Sequence, residues 1–204
     1  MAHIQVYQGD LPGGLKLPAV IAVDAEMTGL DVIKDRLCLV QIGDGAGNAW
    51  LVQILPGKKY PNLKRVLTDK KTLKIFHFAR LDVAKILKDL GVVCAPIYCT
   101  KIASKLSRPT AAKHSLKNVC HDLLGIELSK EQQLSDWSRP TLTPEQIKYA
   151  ALDVAYLHPI KKKLDALLKK TKRDKLARAC FDFMPTRAAL DLLRFDAPDI
   201  FAHH

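Results

Sequence analysis

Three apolar stretches near the start of the chain are separated by turn chemistry, with nothing between them long enough to be a helix. More than any other feature, this limits what the chain can become. Residues 19–25, 36–43 (RLCLVQIG) and 48–54 (NAWLVQI) are short runs rich in apolar and β-branched residues, and GDGAGN between the second and third reads as a hairpin turn. Three adjacent strands are therefore expected to open the fold. Beyond them, PNLKRVLTD reads as a helix, LKIFHF as a fourth strand, ARLDVAKILKDLG as a helix stopped by its glycine, and VVCAPIYCT as another short strand. KIASKLS, SLKNVCHDLLG and the stretch from about residue 144 to 170 read as helices, so the second half is mostly helical. The last of these starts well, with Thr143 as N-cap, Pro144 at N1 and Glu145 in the first turn, near the positive end of the helix dipole. The expected class is α/β, in one domain over residues 1–204, with no repeat or linker to mark an internal boundary.

The chain has 204 residues, of which 48% are hydrophobic, enough for a core without disulfides or a structural metal. Its five cysteines include no C-x-x-C pair, and no secretory signal precedes them, so a zinc ribbon or disulfide framework is not expected and a reducing cytoplasm fits best. Apolar runs such as LPAVIAV are far too short to cross a bilayer, so no membrane partner is expected. Lys and Arg number 32 against 21 Asp and Glu, a net charge of +11, which suggests a polyanionic partner such as nucleic acid. The Lys-rich segment KKKLDALLKKTKRDK, residues 161–175, reads first as a solvated helix face and only second as a phosphate-facing surface.

Carboxylates carry the candidate chemistry. In VIAVDAEMTGL, Asp24 and Glu26 are at i and i+2, so on a strand both leave the same face and repel one another. In isolation such a pair is equally a strand running into a solvated loop. In FHFARLDVAK, Asp82 falls in the first turn of a helix, and in IKYAALDVAYL, Tyr149 and Asp153 at i and i+4 share a helical face. Each of these, alone, is as readily a helix stabiliser or a surface pair.

Their order is more specific. DAEMTGL, FHFARLD and YAALD resemble the three motifs of 3′-to-5′ exonucleases with a ribonuclease H-like fold, and the tyrosine places the resemblance in the DEDDy branch with ribonuclease D. SDWSRPTLTPEQIKYAALDVAYLH carries the Asp-Trp-Ser approach to the third motif that this branch favours. Ribonuclease D proper adds helical domains after its nuclease core, which a chain ending about fifty residues beyond Asp153 is not expected to carry. VYQGDLP, CTKIASKL, SKEQQLSDW and FMPTRAALDLLRFDAPDIFAH are similar instead to the nanoRNase C family of compact bacterial enzymes. The resemblance implies a mixed central sheet flanked by helices with a helical C-terminal part. It also implies a Mg²⁺- or Mn²⁺-dependent 3′-to-5′ exoribonuclease for very short single-stranded RNA, above all diribonucleotides, assembled as a ring-like homo-octamer.

On that reading two divalent ions hold the attacking and leaving oxygens in line. Asp24 bridges them, Glu26 and Asp153 hold the metal beside the nucleophilic water, Asp82 serves mainly the second metal, and Tyr149 orients the water. An all-carboxylate set suits Mg²⁺ far better than zinc. Met27, Thr28 and Gly29 would lie against the terminal nucleotide and Leu30 would wedge between the last two bases, although Leu30 is also readable as a core residue at a loop end. His77 and Phe78 could stack a base or simply pack. For a 5′-phosphate cap the candidates, chosen by their place between the second and third motifs, are Lys101, Lys105, Arg108, His114, Gln132, Gln133 and Ser135. The tail, about residues 175–204, is too apolar to be free and should pack on its own core or on a neighbouring subunit, and the ring assembly that the resemblance implies favours the neighbour. A broader ribonuclease D-like exonuclease on longer RNA or DNA shares the same chemistry. A non-catalytic binding module is disfavoured by the complete set of five site residues.

Overall fold

The structure is a computed structural model that describes residues 3–128, 134–195 and 197–203. Its centre is a mixed six-stranded sheet in the order β1-β4-β3-β2-β5-β6. The strands are β1 (His3–Tyr7), β2 (Val20–Met27), β3 (Leu37–Gly43), β4 (Asn48–Gln53), β5 (Leu73–Phe76) and β6 (Ile97–Cys99). β2, β3 and β4 form an antiparallel meander. β5 and β6 then add in parallel beside β2, and β1 lies parallel to β4 on the other edge. The helices are α1 (Pro61–Thr68), α2 (Ala79–Leu90), α3 (Thr100–Ser107), α4 (Leu116–Leu124), α5 (Pro144–Ala155), α6 (Leu157–Lys170) and α7 (Asp174–Leu192). β3 is buried at every position, as the middle strand of a sheet covered on both faces must be.

The α/β class, the mixed sheet and the opening meander agree with the sequence expectation, and four elements differ. β1 was not expected: HIQVY is short and half polar, and only its pairing with β4 makes it a strand. The fourth strand ends at Phe76, because Phe78 takes a left-handed conformation (φ 69°, ψ 49°) as the residue before α2. The helix expected over 144–170 is two helices meeting at Tyr156 (φ −101°, ψ −2°). Pro159 explains the break: it has no N–H to donate to the Ala155 carbonyl and its ring crowds that oxygen, yet it is tolerated in the first turn of the helix that restarts.

The fourth difference is the tail. α7 turns Ala177, Phe181, Met184 and Ala188 into its own chain, against α2, α3, α6 and β6. One face of α7 therefore packs on its own core, while Leu176 and Phe183 of the same helix stay exposed. Leu193, Phe195, Ile200 and Phe201 beyond it are exposed. Asp191 near its end receives two hydrogen bonds from Arg80 of α2, at 2.6 and 2.7 Å, and pairs with Arg187 at 2.8 Å.

The Lys-rich segment is mostly the solvated face it first suggests, with α6 burying Leu157, Ile160, Leu164 and Leu168 and leaving most of its lysines outside. Two other lysines are fully buried. Lys74 donates to the backbone oxygens of Asp69, Thr72 and Ala95, and Lys85 to those of Asp35 and Val32. Among the described residues, no helix is long and apolar enough to cross a membrane.

Candidate active site

Asp24 and Glu26 stand on the same side of β2, opposite Gln41 and Leu39 of β3. The pairing slips at a bulge between Glu26 and Met27, so the strand leaves the ladder just past the acids and turns toward the surface. α5 crosses β2, β3 and β4 on the acid-bearing side and brings Asp153 and Tyr149 over them. Its start is fixed by a full capping box between Thr143 and Gln146, and Gln146 also donates to the Ser135 hydroxyl and the Asp136 carbonyl at 3.0 Å each. Asp82 enters from the first turn of α2 and is almost completely buried.

Asp24, Glu26 and Asp153 each offer a carboxylate oxygen, and these oxygens lie within 4.8 Å of one another. Such a crowd of like charges in a desolvated site resists ionisation. Burial, then Asp82, Asp153 and Glu26, holds the Asp24 carboxyl well above its ordinary range. Burial and the same two aspartates push Glu26 up to about 9. Asp82 is raised to about 8 and Asp153 to about 7, mainly by burial, with the Tyr149 hydroxyl's hydrogen bond restraining Asp153. Tyr149 itself is pushed up by burial and by the acids, so it is a phenol and not a phenolate in this environment. Hard oxygen donors that resist sharing one space without a cation are a good fit to divalent metal ions.

The acids open into a cavity of about 570 Å³. Of the residues singled out in the sequence, Asp24, Glu26, Asp82, Tyr149, Asp153, Met27, Thr28, Gly29, Leu30, His77, Phe78, Lys101 and Ser135 all line it. Leu30 is 84% exposed, which removes the reading of it as a core residue. His77 is neutral: burial, then Lys101, brings it down to about 3, and its Nδ1 sits 2.8 Å from the Thr100 hydroxyl, which itself donates to the Phe76 carbonyl. The Lys101 ammonium lies 4.0 Å from the centre of the Phe78 ring.

The segment carrying Leu30 is braced from within. Asp35 accepts hydrogen bonds from the Thr28 hydroxyl and the Asp31 N–H at 3.0 and 2.8 Å, and its carboxylate sits where a Cβ on Gly29 would fall, with Oδ2 at 2.5 Å. Gly29 is therefore needed for close approach.

Lys105, Arg108 and His114 do not line the cavity. The Arg108 guanidinium pairs with Asp122 and donates to Ser104 Oγ at 3.0 Å, and His114 Nδ1 lies 2.9 Å from that same oxygen, so the two brace α3 against α4. Gln132 and Gln133 lie outside the described residues. Sequence reasoning missed Leu81, Ser115, Leu116, Lys117, Leu128, Leu134 and Trp137, which also form the walls. Trp137 packs on Tyr149 with ring centres 6.0 Å apart, and its place in the Asp-Trp-Ser approach was the available signal. Ser115 and Lys117 lie there because Ser115 caps the start of α4, taking a hydrogen bond from the Asn118 N–H.

The fold and this arrangement define a nuclease site, and the chain belongs to the 3′-5′ exonuclease family, whose model matches residues 12–169. Ribonuclease D of Pseudomonas paraeruginosa is 30% identical over 155 residues, which is 75% of this chain but 40% of that protein. The chain thus spans about two fifths to half the length of the ribonuclease D relatives it matches. Over its whole length it is similar to NrnC of Brucella melitensis. The form bound to pGG is 43% identical, with 100% of both chains covered and a TM-score of 0.94. The form with bound Mg²⁺ is also 43% identical, with 99% of this chain and 100% of that one covered and a TM-score of 0.92.

Proposed function

We propose that this protein is a two-metal 3′-to-5′ exoribonuclease that hydrolyses very short RNA, 5′-phosphorylated diribonucleotides above all, to nucleoside monophosphates. The observation that carries the chemistry is the trio of carboxylate oxygens within 4.8 Å of one another at the floor of a cavity, with Asp82 beside them. Asp24 would be shared between the two ions, Glu26 and Asp153 would hold the one beside the attacking water, and Asp82 would serve the other. Bound Mg²⁺ or Mn²⁺ would supply positive charge for the phosphate oxygens and a more acidic water. Tyr149, whose hydroxyl donates to Asp153, would orient the attacking water. Leu30 is placed to part the last two bases, and the ring of Phe78 offers a stacking face.

The length limit would rest on Lys101, Lys117 and Ser135, which line the cavity and would serve as donors for a 5′-phosphate. The full-length similarity to an NrnC solved with pGG supports this reading. Net charge works against it, since +11 attracts long strands more strongly than short ones. The deciding measurement is kcat/KM against RNA length from two to about twenty nucleotides at fixed salt, with and without a 5′-phosphate and with a DNA set alongside. A maximum at two is expected, and loss of the 5′-phosphate should cost about tenfold to a hundredfold, as a charge-assisted contact does. A steady rise with length would return the protein to the general ribonuclease D-like exonucleases on longer RNA or DNA. The same family reading makes the working form a cytoplasmic homo-octamer, with Leu193, Phe195, Ile200 and Phe201 as exposed apolar surface available for contact between copies.

The raised carboxyls give a prediction with a definite sign. Between about pH 4, where they titrate in an unfolded chain, and about pH 9, the metal-free folded protein binds more protons than the unfolded one, so its stability falls as pH rises. Cations compete with those protons, so Mg²⁺ should stabilise more at pH 8.5 than at pH 5.5. Melting curves in EDTA and in 10 mM Mg²⁺ across that range check this, and a Mg²⁺ shift in Tm that is the same at both ends would contradict it.

A further inference from the structure

Gln41 sits at the middle of β3 with 0% of its surface exposed, and neither its amide oxygen nor its amide nitrogen has a hydrogen-bond partner. The other glutamines buried in the described residues do better. Gln146 bonds through both ends of its amide, to the Thr143 N–H, Ser135 Oγ and the Asp136 carbonyl. Gln53 donates to the carbonyls of Arg139 and Pro140. A wholly unpaired amide in a core strand costs stability, and an apolar residue of the same size would remove that cost. What distinguishes Gln41 is its neighbour: the strand register sets it directly opposite Asp24, so the two side chains leave the same face of the sheet as an adjacent cross-strand pair.

We propose that Gln41 is a positioning residue for Asp24, whose amide N–H₂ donates to the Asp24 carboxylate when that group holds a cation and so fixes the carboxylate's orientation. The inference rests on the reading of Asp24 as a metal ligand. A bridging carboxylate must keep one orientation against two ions, and a donor on its flank is the kind of outer partner that sets such an orientation, typically worth ten- to a hundredfold in metal affinity. Asp24 accepts a hydrogen bond from the Ala25 backbone N–H and Asp153 takes the Tyr149 hydroxyl, but the register leaves Asp24 as the acid directly across from the Gln41 amide, while Leu51, the residue opposite Gln41 on β4, offers nothing polar.

Gln41→Met, which keeps length and approximate volume and removes both polar atoms, separates this from a structural role. Expected are a metal-free Tm raised by a few degrees, Mg²⁺ affinity by calorimetry weakened about tenfold or more, and a kcat deficit that excess Mg²⁺ relieves with KM for the dinucleotide unchanged. In ¹⁵N-labelled wild-type protein, the Gln41 side-chain amide should shift and exchange more slowly as Mg²⁺ is added, which tests the contact without any substitution. Mg²⁺ affinity within twofold of wild type in Gln41→Met, or an amide signal indifferent to Mg²⁺, would overturn the positioning role alone. A wild-type protein that takes up no Mg²⁺ would overturn the metal reading and this inference with it.

Discussion

Asp24→Asn, Glu26→Gln, Asp82→Asn and Asp153→Asn are each expected to lower kcat on the order of 10³-fold or more, the scale on which one member of an interdependent catalytic set costs. The substitutions are nearly isosteric, so any loss reflects charge and ligand strength and not packing. They should also stabilise the metal-free protein at pH 8, because each replaces a carboxyl that burial first, and then its acidic neighbours, hold above its ordinary range (Glu26 up to about 9, Asp82 up to about 8) with an amide that has no proton to lose on unfolding. Loss of activity together with a raised Tm is the signature of a site built against its own stability. Tyr149→Phe keeps the ring on Trp137 and removes only the hydroxyl, so it should slow kcat by less than the acid substitutions and leave Mg²⁺ affinity nearly intact. Near-wild-type turnover in any two of the four acid variants at saturating Mg²⁺ would break the assignment.

The second large effect lies away from the cavity. Asp191 is buried, with two hydrogen bonds from Arg80 and a third ionic contact from Arg187, itself 2.8 Å away and also paired with Asp199 at 2.7 Å. Removing the shared acid leaves Arg187 mostly buried, with only Asp199 to balance its charge and the Phe195 carbonyl as a neutral acceptor. Breaking a fully buried pair costs about 3–5 kcal/mol, and because Arg80 is partly in water we expect about 3 kcal/mol, or a Tm lower by about 6–12 °C at this chain length. Asp191→Ala should therefore unfold earlier in a denaturant titration, with an unchanged Mg²⁺ affinity in the folded protein. A Tm within 2 °C of wild type would show the network to be ornamental.

How far each part could be read from the sequence follows from how local its cause is. Asp24, Glu26, Asp82, Tyr149 and Asp153 were legible because strand and helix periodicities fix which side chains share a face, and the structure brings all five to one cavity. β1 was not legible, since its only reason to be a strand is β4, far along the chain. The phosphate-cap candidates were chosen by interval, and interval does not say which way a helix turns: Lys101 at the start of α3 reaches the cavity, while Arg108 at its other end is taken up by Asp122. Arg80 and Asp191 carry ordinary local patterns and meet only through the packing of α7 on α2.

The buried ammonium of Lys85 has a bearing on how such an enzyme could be re-engineered. It rises from α2 one turn after Asp82 and holds the backbone oxygens of Asp35 and Val32, while Lys88 adds a bond to the same Asp35 oxygen at 2.9 Å. The helix that carries Asp82 is thereby tied to the segment that carries Leu30, so the spacing between these two side chains is set by one hydrogen-bonded frame. A second part of the lining, from Ser115 to Lys117 and from Leu134 to Trp137, comes from other elements, and among the described residues no hydrogen bond or ion pair ties it to α2. Selection for longer substrates should accordingly accumulate changes on that second wall and leave the first untouched, so the two sides of one cavity would evolve at different rates.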